Sequence, residues 1–169
     1  MRREEKQNTF TSHASHNLRF IADAMLGRLA RWLRFLGIDT LYYPDISDSR
    51  LIRIAREQNR LILTRDTRLV KMKAVRDYLL ISANDSYGQL IEVIDSLGLK
   101  DFAPVGRCVE CNGQLTAIAD KTEVKDSVPE FVFLNFNNFL RCDNCGKIYW
   151  EGTHPQKFRE KLGSIIKQV

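Results

Sequence analysis

No stretch of the 169-residue chain approaches the ~18 consecutive apolar residues that a membrane-spanning helix needs, so no membrane partner is expected. The longest apolar runs, Tyr78 to Ile81 and Phe131 to Leu134, are only strand-sized. The first twenty residues have no apolar core of a secretory signal, and Glu4 and Glu5 argue against an acid-poor transit peptide. A cytoplasmic protein is the expectation. Cysteine is scarce too: there are four, and a reducing compartment would keep them as thiols rather than as a disulfide framework. There is no internal repeat and no low-complexity tract. What is present, 44% hydrophobic and 9% aromatic residues, suits a globular chain with a real core, of one domain or two small ones.

The net charge of +5 is modest, but its distribution is uneven. Residues 17–99 hold 13 basic side chains, 11 of them Arg, whereas residues 100–169 hold 10, only 3 of them Arg. Arg offers a planar fork that grips phosphate in bidentate fashion, which Lys cannot do. The first part therefore looks suited to anions, although exposed charge is also the default decoration of a solvated helix. The shift near residue 100 marks a domain boundary.

Residues 1–16, with His13 and His16, show no periodicity and are expected to be a flexible leader. From residue 18 a strand–helix rhythm begins. Strands are expected at 18–22, 40–43, 61–64 and 78–82, and helices at 26–36, 48–58, 66–73 and 89–97. Such alternation over short loops implies an α/β fold, a mostly parallel sheet with helices on both faces. Sites in such sheets form beyond the carboxyl ends of the strands. Residues 99–106, with Pro104 and Gly106, read as a linker. Beyond them the β-like runs 115–119 and 131–136 suggest a small β-rich module, and 158–166 suggests a terminal helix. The expected organisation is thus a leader at 1–16, an α/β domain at 17–103, a cysteine-bearing module at 104–154 and a tail at 155–169. The α/β part is expected to survive truncation near residue 103.

Asp23 follows the first strand, Asp48 lies in the loop after the second, Asp66 follows the third and Asp85 the fourth. Parallel strands run ~4.8 Å apart, so acids at adjacent strand ends can converge on one hard cation such as Mg²⁺ or Mn²⁺. Each acid alone is equally the expected helix N-cap, and Asp45 competes with Asp48. Nearby, Arg28, Arg31 and Arg34 recur every third residue on the first helix, on the face opposite its leucines, and Arg65 and Arg68 flank Asp66. They are candidate phosphate contacts, against the alternative of a plain solvated face.

Cys108 and Cys111 form one CxxC pair and Cys142 and Cys145 a second. Four thiolates in two knuckles close a tetrahedral Zn²⁺ site with no open position, so the zinc would be structural. Neither pair opens a βαβ helix as a redox CxxC would; iron or an iron–sulfur cluster is the competing occupant. His154, single and near the chain end, reads as a surface residue.

The stretches FIADAMLGRLARWLRFLGIDT and DISDSRLIRIAREQNRLILTRD, with the later CVECNG and RCDNCGKIYWEGTH, closely resemble the Mut-seven C-terminal RNase family, a branch of PIN-like nucleases. The resemblance covers residues 20 to 150. It implies a PIN-like domain followed by a zinc ribbon, with Asp23, Asp48 and Asp66 as the metal-binding catalytic set and Asp85 as a looser fourth match. It also implies RNA as substrate, with tRNA, rRNA and the ribosome as candidates, cut by Mg²⁺- or Mn²⁺-activated water. The rival expectation is a non-catalytic RNA-binding or ribosome-associated protein on the same scaffold.

Overall fold

A computed structural model describes residues 18–99, 102 and 106–150. The leader, the tail helix expected at 158–166, the three histidines and most of the linker lie outside the described residues. Four strands, β1 (Phe20–Ala22), β2 (Thr40–Tyr42), β3 (Leu61–Thr64) and β4 (Tyr78–Leu80), form one parallel sheet in the order β2-β1-β3-β4. They alternate with α1 (Gly27–Phe35), α2 (Asp48–Glu57) and α3 (Ser86–Leu97).

The central strands explain the layering. Every residue of β1 and of β3 is buried, as in a sheet covered on both sides. Their side chains alternate between two apolar clusters. Phe20, Ala22, Leu61 and Leu63 pack under α1 and α3 with Leu29, Leu33, Leu90 and Val93. Ile21 and Ile62 face the other way, onto Leu51, Ile52, Ile54 and Ala55 of α2 and onto Leu69. Leu99 and Phe102 of the linker pack on the first cluster.

Left-handed residues set the helix ends. Gly37 at φ 85° lets the Ile38 N–H reach back to Leu33 O at 2.9 Å after α1, and Gly98 at φ 58° does the same service after α3. The helix expected at 66–73 is only a 3₁₀ turn, Leu69–Lys71, because Leu69 alone is buried there and a single apolar anchor cannot hold several turns.

The second part is a three-stranded antiparallel sheet, β5 (Leu115–Ala117), β6 (Phe139–Cys142) and β7 (Ile148–Trp150), with β6 in the middle. The run at 131–136 is not a strand. It is the short helix α4 (Glu130–Asn135), started by Pro129. Val132, Phe133 and Phe136 share one helical face and pack with Val124 and Phe139, a helix spacing that an all-apolar FVFL run conceals. No helix among the described residues is long and apolar enough to cross a membrane.

Candidate active site and the four-cysteine centre

In the order β2-β1-β3-β4 the chain crosses from one side of β1 to the other, so the topological switch lies between β1 and β3. Asp23 leaves β1 at that point, its N–H bonded to Leu63 O at 2.9 Å. The Thr64 hydroxyl, buried at the end of β3, donates to Asp23 Oδ2 at 2.8 Å and accepts the Asp66 N–H at 2.9 Å. One threonine thus links two carboxylate residues across the switch. Asp23 occupies the cap position of the 3₁₀ turn Ala24–Leu26, yet its side chain makes no cap bond there. Thr64 carries no sequence signal, since a threonine in a strand is an ordinary β-former.

Asp66 Oδ1 accepts the Arg68 N–H at 2.7 Å, and the Arg68 guanidinium lies 3.5 Å away. That backbone hydrogen bond, helped by the guanidinium, holds the Asp66 carboxyl below the usual 3.8. Asp48 is exposed in the first turn of α2, where a negative charge suits the helix dipole, and Asp45 is exposed in the preceding turn. Among the described residues the only set of three or more His, Cys, Asp and Glu groups gathered to hold one ion is the four cysteines. Asp23, Asp48 and Asp66 share the edge but do not close around a common point.

Asp85 has a structural task of its own. Its Oδ1 accepts the N–H groups of Tyr87 and Gly88, both at 3.0 Å, as the N-cap of α3. Asp85→Ala should cost about 1 kcal/mol in urea unfolding, and a larger loss of any activity than of stability would assign it to the site after all. Beside it, Glu92 of α3 accepts from Ser82 N, Ser82 Oγ and Ala83 N at 2.9 Å each. Burial would raise the Glu92 carboxyl, but these bonds and Arg65 hold it below its ordinary value. Arg65 itself donates to Asn84 Oδ1 at 2.6 Å, tying the end of β3 to the loop after β4.

The α1 arginines divide in a way that periodicity does not show. Arg28 is exposed. Arg34 is buried, and it donates from Nε to Thr40 O at 2.8 Å and from Nη1 to Val109 O and Glu110 O at 3.0 and 2.8 Å. Arg31 pairs with the Glu110 carboxylate at 3.0 Å. The expectation of a solvated stripe facing RNA is therefore corrected for Arg34, whose guanidinium is taken up by the backbone of the first cysteine knuckle. That knuckle also inserts Asn112, which accepts the Thr40 N–H at 3.0 Å and donates to Asp39 Oδ1 at 2.7 Å. Thr40 opens β2, so the knuckle docks at the amino ends of the strands, opposite the acidic edge.

All four cysteines are free, and their sulfurs lie within 4.8 Å of one another. The Cys108–Cys145 and Cys111–Cys142 pairs are 3.6 and 3.4 Å apart, near the ~3.8 Å edge of a tetrahedron built on Zn–S bonds of about 2.3 Å. Asn112 (φ 68°) and Gly146 (φ 72°) make the tight turns after each pair. A side chain at Gly113 would meet Cys142 Sγ at 2.8 Å, so the turn leaves room only for the cluster. The Tyr149 hydroxyl lies 3.0 Å from Cys108 Sγ, and burial, then that sulfur, raises its own titration so that it stays a donor. The donor set fits a structural zinc, with Tyr149 as an outer hydrogen bond of the kind that steadies a thiolate ligand.

No curated protein and no solved structure matched the chain. A family model did, the Mut7-C RNAse domain, over residues 18–162, a span that takes in the parallel sheet, the acids at its carboxyl edge and all four cysteines. The chain belongs to the Mut7-C RNAse domain family.

Proposed function

We propose that this protein is a ribonuclease that hydrolyses RNA phosphodiesters at the carboxyl edge of the parallel sheet, around Asp23 and Asp66. The observation that carries it is the Asp23–Thr64–Asp66 unit at the topological switch point, in a chain of an RNase-domain family. The oxygen donors there suit Mg²⁺ or Mn²⁺, which when bound supplies Lewis acidity and a water of lowered pKa. The Arg68 N–H favours the ionised form of Asp66. Thr64 fixes the Asp23 carboxylate by donating to one oxygen. Asp48, exposed at the start of α2, would join them as a third ligand by a side-chain turn, and the exposed Arg68 and Arg28 would hold substrate phosphate. In-line hydrolysis at this edge would leave a 3′-hydroxyl and a 5′-phosphate. The four-cysteine module braces the far end of the sheet.

The experiment is cleavage of a mixed RNA pool by the purified full chain with and without added Mn²⁺ or Mg²⁺, with analysis of the product ends. Metal-dependent cleavage with 5′-phosphate ends is the expected outcome. Thr64→Val should lower it by roughly 10–100-fold, the usual cost of losing a group that orients a ligand. The acids do not gather around one point, and this favours a second reading, a non-catalytic RNA-binding or ribosome-associated protein. Tight RNA binding without cleavage under any metal would establish that one.

A further inference from the structure

Helix α2 carries its own row of arginines. Arg50, Arg53 and Arg56 recur every third residue, and all three are exposed on the side away from Leu51, Ile52, Ile54 and Ala55, which are buried against the sheet. Among the described residues no ion pair involves any of them. They contrast with Arg31 and Arg34, which the cysteine knuckle engages. Arg53 and Arg56 line an open depression together with Ser49, Ile52 and Glu57. The Arg50 guanidinium lies over the Tyr43 ring, 5.3 Å from its centroid, a stacking that holds the fork in place without neutralising it.

The surroundings reinforce this face. Leu69 and Val75 pack into the same apolar cluster as α2, so the segment bearing exposed Arg68, Lys71, Lys73 and Arg76 lies on the same side of the sheet. Residues 43–77 contain nine basic and five acidic side chains, most of the net positive charge of the whole chain. The row also has a direction. It begins beside Asp48 at the carboxyl edge and, at 1.5 Å per residue, runs roughly 9 Å along the helix from Arg50 to Arg56. A polyanion lying on α2 is thereby led from the acidic edge across guanidinium groups that no ion pair among the described residues engages, the first of them stacked on Tyr43.

We propose that the outer face of α2 is the track for the RNA strand, with Arg50, Arg53 and Arg56 gripping phosphates of its backbone, independently of base sequence. The identity of the strand rests on the ribonuclease reading above; the anion-binding face stands on the charges alone. The test is titration of a labelled single-stranded RNA of mixed sequence, at several salt concentrations, against the full chain carrying Asp66→Asn to prevent cleavage. Adding Arg50→Gln, Arg53→Gln and Arg56→Gln should weaken binding by at least about tenfold at low salt. It should also flatten the salt slope by up to roughly 2 units, at ~0.7 per phosphate on a single strand. A triple Arg→Lys variant should keep the slope while losing part of the affinity, because the charge stays and the bidentate fork goes. An unchanged thermal midpoint shows that the loss is one of contacts rather than of fold. Unchanged affinity and slope in the Gln variant would overturn the track and leave the ribonuclease reading to the cleavage assay. Binding that depends on the row in a chain that cleaves no RNA would uphold the track and sink that reading.

Discussion

Asp23→Asn and Asp66→Asn should each reduce RNA cleavage by at least about 10³-fold while moving stability by little. A bound dication contributes several kcal/mol of transition-state stabilisation, and each 1.36 kcal/mol is worth tenfold in rate. Asn keeps the size of the side chain. At position 66 it can still accept the Arg68 N–H, and at position 23 it can still accept from Thr64, so the local hydrogen bonds survive and only the charge leaves. Asp48→Asn is the discriminating companion. If Asp48 swings in to complete the ion's shell, its loss should match the other two; if it only favours the helix terminus, the effect should stay near the few tenths to one kcal/mol typical of an exposed dipole contact. Rates on a defined RNA, with urea midpoints for each variant, separate the cases. Asp66 fixes only the lower end of the pH dependence. Its carboxyl is depressed below 3.8 by the Arg68 N–H, so the ionised form persists as pH falls and fails only below that value. An acid limb in the rate above pH 4 would therefore belong to another group. Full activity in both Asn variants would remove the switch-point acids from the mechanism.

The parallel sheet was legible because its signals are local. Runs such as Leu61–Thr64 between Gly-, Asn- or Pro-marked turns, and the leucine spacing of α1, need no partner to be recognised. The acids at strand ends could be placed from topology, but their roles could not. Asp23 and Asp85 have the same sequence context, an acid between strand and helix, yet one binds Thr64 and the other caps α3. What separates them is a hydroxyl 41 residues away, which no local pattern encodes. Arg34 shows the same limit more sharply. Its place on α1 beside Arg31 says surface, and it is buried only because a knuckle 75 residues later settles over the helix end. In α4 the composition itself misled. Four apolar residues in a row fit a strand until Pro129 and the packing of Val132, Phe133 and Phe136 choose a helix.

The docking of that knuckle leads to the largest stability effect expected in the molecule, and it ties the cysteine centre to the sheet. Asp39 receives Arg60 at 2.7 and 3.2 Å and Asn112 at 2.7 Å, with Arg107 3.8 Å away. The Arg60 side chain is 7% exposed and Asp39 17%, so this is a largely desolvated pair. Asp39→Ala would leave the Arg60 charge buried without its partner, at a cost of about 3–5 kcal/mol. Arg34→Ala orphans the carbonyls of Thr40, Val109 and Glu110 and should cost about 3 kcal/mol, given 1–3 for each buried group left unsatisfied. Burial opposes the Asp39 charge, but the bonds from Arg60 and Asn112 outweigh it and hold the carboxyl below 3.8. Its folded pKa is thus lower than its unfolded one, so this part of the stability is present above about pH 4 and is lost as pH falls through the depressed value. Because Glu110 and Asn112 flank Cys111, a metal that shapes the knuckle also shapes this contact. Removing a bound metal with a chelator, or its ligand by Cys142→Ser, should then destabilise the α/β part as well as the cysteine module, and truncation near residue 103 should lower its stability instead of sparing it. The two tryptophans report separately, Trp32 from α1 and Trp150 from β7. With Trp150→Phe in place, the urea midpoint seen by Trp32 should fall on metal removal in the parent, and by much less in a chain that already carries Arg34→Ala. If the Trp32 transition stays where it was when the metal is removed, the two parts are independent and the coupling through Arg34 and Asn112 is wrong.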